Sequence, residues 1–136
     1  MVEIKITYEG DLHCKAVHGP SGKTLETDAP TDHAGKGESF SPTDLEAAAL
    51  GTCYLTVMGI SAQNRGIELK RMTARVKKHM SADKPRRIVK LVVDINMPAG
   101  LDADKRSLLE HVARTCPTAQ SIHPAIKVDL TFKYPN

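Results

Sequence analysis

The longest apolar stretch of the chain covers residues 41–66, SPTDLEAAALGTCYLTVMGISAQNRG, and its pattern predicts one long helix. Ser41 and Asp44 have the spacing of a capping box at the start of this helix. Gly66 follows the last helical positions as a left-handed C-terminal cap would. No charged residue occurs between positions 47 and 64. A helix that is apolar on all sides must be covered on all sides, so we expect extensive packing around it.

This pattern allows two interpretations of the helix. A membrane span needs roughly 20 predominantly apolar residues, and this run contains Thr, Ser, Gln and Asn within a hydrophilic chain, so we expect no membrane span. Small residues recur at three- or four-residue spacing, which permits close approach of another helix: Ala48, Thr52, Gly59 and Ala62. We therefore expect a core helix that packs on a sheet on one side and on the copy from a second subunit on the other.

The chain before the long helix has the period of short strands. Apolar and polar residues alternate over residues 2–8, 12–16 and 23–27, which predicts three strands with one half-buried face each. Residues 28–40 contain Pro and Gly and no apolar period, so they form a loop that leads into the helix.

Strand patterns return after the long helix. Residues 69–77 and 89–97 alternate like an antiparallel pair with one wet face. Asp102 then caps a second helix, Pro117 ends or kinks it, and residues 126–134 alternate as a final strand. This order of elements is typical of an α+β fold with largely antiparallel sheet, rather than of alternating βαβ units.

Composition narrows the class of protein. The 136 residues suffice for one domain, 1–136, with a modest core. A net charge of +3 with dispersed Lys and Arg, and no Trp, argues against a nucleic-acid-binding surface. The first residues alternate like a strand and lack a signal-peptide core. Together with an odd number of cysteines, three, this predicts a cytoplasmic protein with free thiols.

Cys53 and Cys116 are the candidates for chemistry. Cys53 lies near the middle of the long helix, and Cys116 continues the apolar stripe of the second helix, which consists of Leu108, Leu109, Val112 and Ala113. If both helices pack on one core, the two sulfurs could be neighbours. One thiolate would then attack the O–O bond of a peroxide, and the other thiol would condense with the resulting sulfenic acid.

The residues alone leave two other interpretations open. Cysteines on apolar stripes are often small core residues without chemistry. A zinc site could combine Cys53 and Cys116 with His111 or His123, but the sequence lacks CxxC or HxxxH spacing, so this site is disfavoured.

Two segments carry a resemblance to a known family. GKGESFSPTDLEAAALGTC ends at Cys53, and ARTCP contains Cys116 followed by Pro117. With these motifs and with its order of elements, the chain resembles the OsmC/Ohr family of osmotically inducible and organic hydroperoxide resistance proteins, as a divergent OsmC-like member. The resemblance covers essentially the whole chain. It implies antiparallel sheets around a long central helix and an intertwined homodimer.

The same resemblance implies an activity. It implies a thiol peroxidase that reduces small organic hydroperoxides, with Cys53 as the peroxidatic and Cys116 as the resolving cysteine. A dithiol, of the lipoyl kind, would regenerate the thiols. No metal and no bound cofactor are implied, and we expect neither nucleic acid nor membrane as a partner.

The chain departs from the family pattern where the first cysteine is activated. The family's peroxidases have a glutamate after the proline that opens the long helix, and this chain has Thr43 there. They also use an arginine from the N-terminal strands or the following loop, and this chain has none before Arg65. The residues that could substitute are Glu46, His13, Lys15, His33 and Lys36. Loss of the pair supports an alternative function: a non-peroxidatic OsmC-like protein that binds a small apolar ligand.

Overall fold

The computed structural model describes residues 1–135, and the chain forms two compact units, Met1–Glu46 and the part from Ala47 onward. Each unit contains one three-stranded sheet. The prediction of a single domain over 1–136 stays a prediction, and its last residue lies outside the described residues.

The first unit is an antiparallel sheet of three strands in chain order, β1 (Ile4–Gly10), β2 (His13–His18) and β3 (Thr24–Asp28). The strands lie within a few residues of their predicted positions. The register pairs Ile6 with Ala16 and His13 with Asp28, which places apolar residues on one face and charged residues on the other.

The following loop is held to the sheet at both ends. The Asp28 N–H donates to the carbonyl of Phe40 (3.1 Å), and the Ala29 N–H donates to that of Leu12 (3.1 Å). One turn of 3-10 helix, Thr31–His33, interrupts the loop, which otherwise lacks regular structure as predicted.

The long helix α1 covers Pro42–Asn64, and its ends are built as the sequence predicts. At the start, the Asp44 N–H donates to Ser41 Oγ (3.1 Å) and the Ser41 N–H donates to Asp44 Oδ2 (2.9 Å), which completes the capping box. At the end, Gly66 has a φ of +65° and the Ile67 N–H donates to the Ala62 carbonyl (2.9 Å). These contacts form a Schellman motif.

The second sheet contains β4 (Thr73–Met80), β5 (Ile88–Asn96) and β6 (Lys127–Lys133), with β5 in the centre. The β4–β5 pair is antiparallel as predicted, but β6 runs parallel to β5. The difference arises because α2 (Ala103–Arg114) and α3 (Pro117–Ser121) form a crossover connection, which returns the chain to the sheet in its original direction. The sheet is therefore mixed, and the fold is α+β.

The core of the second unit lies where α1, β5 and α2 meet. Leu50 and Met58 of α1, Leu91 of β5 and Leu109 of α2 are fully buried. Gly51 lets α1 approach β4 closely, because a Cβ at this position would lie only 2.8 Å from Val76 Cγ2. Other buried core members are Ala47, Tyr54, Ala62, Ile88, Val93, Ile95, Met97, Leu101, Ala113 and Cys116.

Within residues 1–135, α1 is long and apolar enough by composition to cross a membrane. The core helix of a soluble protein meets the same criterion, and the buried side of α1 packs into the hydrophobic core described above.

Candidate active site

Cys53 is placed by the middle of α1, at the edge of the hydrophobic core. Its neighbour Tyr54 is buried, whereas Cys53 itself is half-buried and its thiol is free. A half-buried thiol on a rigid helix is held in position while one side stays accessible to a small molecule.

Cys116 lies at the junction of α2 and α3. It is fully buried, and it is the N-cap residue of α3, with Pro117 at the first helical position. Its Sγ accepts a hydrogen bond from the Ala119 N–H (3.3 Å), in the way that a serine or aspartate caps a helix. The predicted break at Pro117 therefore exists, and it sets Cys116 at the start of a new helix.

The structure brings the two thiols together with Thr118. Burial is the largest influence on Cys53 and opposes its ionisation, but hydrogen bonds from the Thr118 hydroxyl, the Thr118 N–H and the Cys116 thiol outweigh it. The net result is that the pKa of Cys53 is lowered. Donors that favour the charged form act in this direction.

The pKa of Cys116 shifts in the opposite direction. Burial raises the pKa of the Cys116 thiol, the Ala119 N–H lowers it, and the nearby Cys53 sulfur raises it again, so that the net shift is upward. The two pKa values therefore shift in opposite directions: the donors around Cys53 favour its thiolate, whereas burial beside Cys53 favours the protonated form of Cys116.

Tyr54 and Arg114 complete the surroundings of the thiols. Burial raises the pKa of Tyr54, electrostatic interaction with Cys116 and Cys53 raises it further, and Arg114 lowers it. Arg114 also lies over the Phe132 ring, 5.6 Å from its centroid. The Tyr54 phenol thus lies within electrostatic range of both thiols and of the Arg114 guanidinium.

The structure places the auxiliary candidates as follows. Glu46 is half-buried two helical turns before Cys53 on α1, about 10.5 Å along the axis. His13 and Lys36 belong to the first unit, where His13 Nδ1 is 2.5 Å from Asp28 Oδ1 and Lys36 acts electrostatically on the same carboxylate. Their catalytic roles stay predictions.

The zinc site that would combine both cysteines with a histidine does not form among residues 1–135. His111 and His123 are exposed, and no group of three or more potential ligand atoms within 4.8 Å of one another includes a cysteine among the described residues.

Sequence reasoning missed Thr118, Tyr54 and Arg114. The sequence contained a signal for Thr118. Pro117 is typical of the first position of a helix. The N–H groups that follow at the start of a helix have no partner within the helix and are available to other acceptors. These N–H groups, from Thr118 and Ala119, are the ones directed at the two sulfurs.

A long apolar helix, a mixed sheet and a hydrogen-bonded thiol pair define an α+β dithiol protein. The OsmC-like protein family matches residues 35–131. The chain belongs to this family, which confirms the resemblance and the predicted α+β, OsmC-like fold, while the homodimer stays a prediction. Proteins of this family are soluble.

Solved structures of relatives agree with the fold. A protein from Psychrobacter arcticus 273-4, provisionally described as an osmotic stress induced and detoxification response protein, is 43% identical, with a TM-score of 0.92 over 98% of this chain and 96% of that chain. An organic hydroperoxide resistance protein OsmC from Legionella pneumophila is 20% identical, with a TM-score of 0.71 over 98% and 96% of the two chains. The organic hydroperoxide resistance protein OhrB of Bacillus subtilis is 18% identical, with a TM-score of 0.69 over 98% of each chain. The last two share the fold alone. No curated protein is significantly similar to this chain in sequence.

Proposed function

We propose that this protein is a thiol peroxidase that reduces small organic hydroperoxides through Cys53 and Cys116. The observation that carries the proposal is the hydrogen-bonded pair of thiols, in which Thr118 and Cys116 favour the thiolate of Cys53. Structural relatives that are organic hydroperoxide resistance proteins support the same class of substrate.

In the first step, the Cys53 thiolate attacks the terminal oxygen of the hydroperoxide. An S–O bond forms and the O–O bond breaks, and the alkoxide that leaves takes up a proton to become the alcohol. Cys53 is now a sulfenic acid. A lowered pKa helps because the thiolate, and not the thiol, is the nucleophile.

In the second step, the Cys116 sulfur attacks the Cys53 sulfur. An S–S bond forms, the S–O bond breaks, and the hydroxyl leaves as water with the proton of Cys116. The sum is one hydroperoxide and two thiols converted to one alcohol, one water and one disulfide. A small dithiol of the lipoyl type then reduces the disulfide by two thiol–disulfide exchanges and is itself oxidised to a cyclic disulfide.

The local contacts offer a replacement for the activating residues that this chain lacks. Thr43 occupies the family's glutamate position, and Thr118 supplies both a hydroxyl and an N–H to the Cys53 sulfur. The activation of Cys53 therefore comes from the segment that carries the resolving cysteine.

The proposal includes a homodimer in the cytoplasm. The outward stripe of α1 carries no charge and consists of Ala49, Thr52, Thr56 and Ile60, the last being 55% exposed. An uncharged stripe of this kind suits contact with a second copy. Sedimentation at micromolar concentration would show whether the mass is that of two chains. Three free cysteines suit a reducing compartment.

The test of the activity is a thiol count after one equivalent of cumene hydroperoxide. We expect the reduced protein and the Cys14→Ser control to lose two thiols each, and Cys53→Ser to lose none. Cys116→Ser should instead accumulate a sulfenic acid on Cys53 that dimedone traps. Unchanged thiols in the native protein, or equal loss in Cys53→Ser, would contradict the proposal and favour a binding protein for a small apolar ligand.

A further inference from the structure

A cluster centred on one imidazole lies on the charged face of the first sheet, and the thiol chemistry does not use it. Glu9 comes from β1, His13 from β2 and Glu26 from β3. Each of these side chains has one potential ligand atom within 4.8 Å of those of the other two. Among residues 1–135 this is the one group of three such residues. Each strand of the sheet therefore contributes one donor.

The two distances from His13 match those between ligand atoms around a small cation. His13 Nε2 lies 3.6 Å from Glu9 Oε1 and 3.5 Å from Glu26 Oε1. A direct charge-assisted hydrogen bond would be about 2.7–2.9 Å long. Ligand bonds of about 2.0–2.2 Å in a tetrahedral site, by contrast, separate two donor atoms by about 3.4 Å.

Asp28 orients the imidazole for such a role. Its Oδ1 lies 2.5 Å from His13 Nδ1, and its Oδ2 accepts the Glu38 N–H at 3.0 Å. The Asp28 side chain is only 9% exposed, so this orientation is fixed from inside the unit. In metal sites, the histidine nitrogen that does not bind the metal usually donates to a carboxylate, a backbone carbonyl or water, which leaves Nε2 of His13 as the nitrogen available to a metal.

The geometry points to a divalent transition-metal site formed by His13 Nε2, Glu9 and Glu26, with Asp28 as the orienting carboxylate and a fourth position open to water. One nitrogen and carboxylate oxygens suit Zn²⁺ or Mn²⁺ better than a soft ion. The ion would tie all three strands of the sheet together. This proposal departs from the sequence-based prediction, which expected no metal.

Positive charges close to the cluster compete with a metal ion for its carboxylates. Lys15 is the register partner of Glu26, and Lys36 acts on Asp28. The hydrogen bond that His13 donates to Asp28 also raises the pKa of His13, so a metal must displace a proton from Nε2. A divalent ion neutralises more of the negative charge of Glu9, Glu26 and Asp28 than one proton on His13 does.

Mn²⁺ is the appropriate probe because it avoids thiolates and so leaves Cys53 and Cys116 out of the measurement. The free ion is counted by electron paramagnetic resonance as the reduced protein is added. We expect one saturable site in the native protein and in the His33→Gln control, which changes an exposed histidine of the same unit. Binding should weaken at least tenfold in His13→Gln and in Glu26→Gln, and about 10–100-fold in Asp28→Asn.

The melting temperature provides a second measurement of binding in case one variant folds poorly. Saturating Mn²⁺ should raise the melting temperature of the native protein and of His33→Gln, but not that of Glu26→Gln. The absence of saturable binding in the native protein up to millimolar Mn²⁺ would overturn the proposal. Equal binding by native protein and Glu26→Gln would overturn it as well.

Discussion

Replacement of Thr118 by valine removes one hydroxyl from the thiol pair and retains the shape of the side chain. The native hydroxyl donates to the Cys53 sulfur and lowers the pKa of that thiol. The valine variant should therefore hold less Cys53 thiolate at any pH below this pKa. The Thr118 N–H and the Cys116 thiol remain in place, so part of the stabilisation persists.

The size of the effect follows from the energy of a charged hydrogen bond, about 1.5–3 kcal/mol. With two donors remaining around a half-buried sulfur, we expect the lower end of this range, which corresponds to about tenfold less thiolate. A more basic thiolate is also a better nucleophile, with a Brønsted coefficient of about 0.4–0.5, which recovers about threefold. The net rate with hydroperoxide should fall about three- to fourfold in acid and should not fall in alkali.

The assay is the second-order rate of thiol loss with cumene hydroperoxide, measured from about pH 5 to about pH 9 together with the ultraviolet absorbance of the thiolate. The matched control is Thr115→Val, because the Thr115 hydroxyl donates to the Val112 carbonyl at 2.8 Å instead of to a sulfur. Thr118→Ser should restore the native profile. If the Thr118→Val profile coincides with the native one, Thr118 does not activate Cys53 and the reasoning is wrong.

Three further predictions concern the stability of the fold. Ser41→Ala removes the acceptor of the Asp44 N–H, so urea unfolding should show a loss of about 1 kcal/mol, and an unchanged midpoint would contradict the capping role. Gly51→Ala places a Cβ about 2.8 Å from Val76 Cγ2 and should cost about 1–3 kcal/mol. Adding Val76→Ala should cost less than the sum of the two single changes, and simple additivity would refute this contact. The Lys105 N–H lowers the pKa of Asp102, so this carboxylate stabilises the protein at neutral pH, and its contribution is lost as pH falls through the folded pKa. Asp102→Asn keeps a good cap without that titration, so its stability should fall less steeply in acid than that of the native protein; equal slopes would refute the linkage.

Features that depend on neighbouring residues in the chain were predictable. The capping box at Ser41, the left-handed Gly66 and the cap at Asp102 are each formed within a few residues of sequence, so residue type and spacing determine them. The alternation that places His13 and Cys14 on opposite faces of β2 is local in the same sense.

Features that depend on the path of the chain in space were not predictable in the same way. The antiparallel β4–β5 pair follows from a short turn, but the parallel pairing of β5 with β6 depends on where the α2–α3 crossover delivers the chain. The contact of Thr118 with Cys53 joins residues 65 positions apart along the sequence, and the cluster around His13 joins three strands. Periodicity reports which face a residue occupies, but not which residue of another element lies opposite.

The most direct test of the account is to map disulfides in the full-length protein after one equivalent of cumene hydroperoxide, under denaturing alkylation to block exchange. The account predicts one intramolecular Cys53–Cys116 bond, with Cys14 recovered as an alkylated thiol. Recovery of Cys53 and Cys116 as free thiols, or a bond that includes Cys14 in their place, would contradict it.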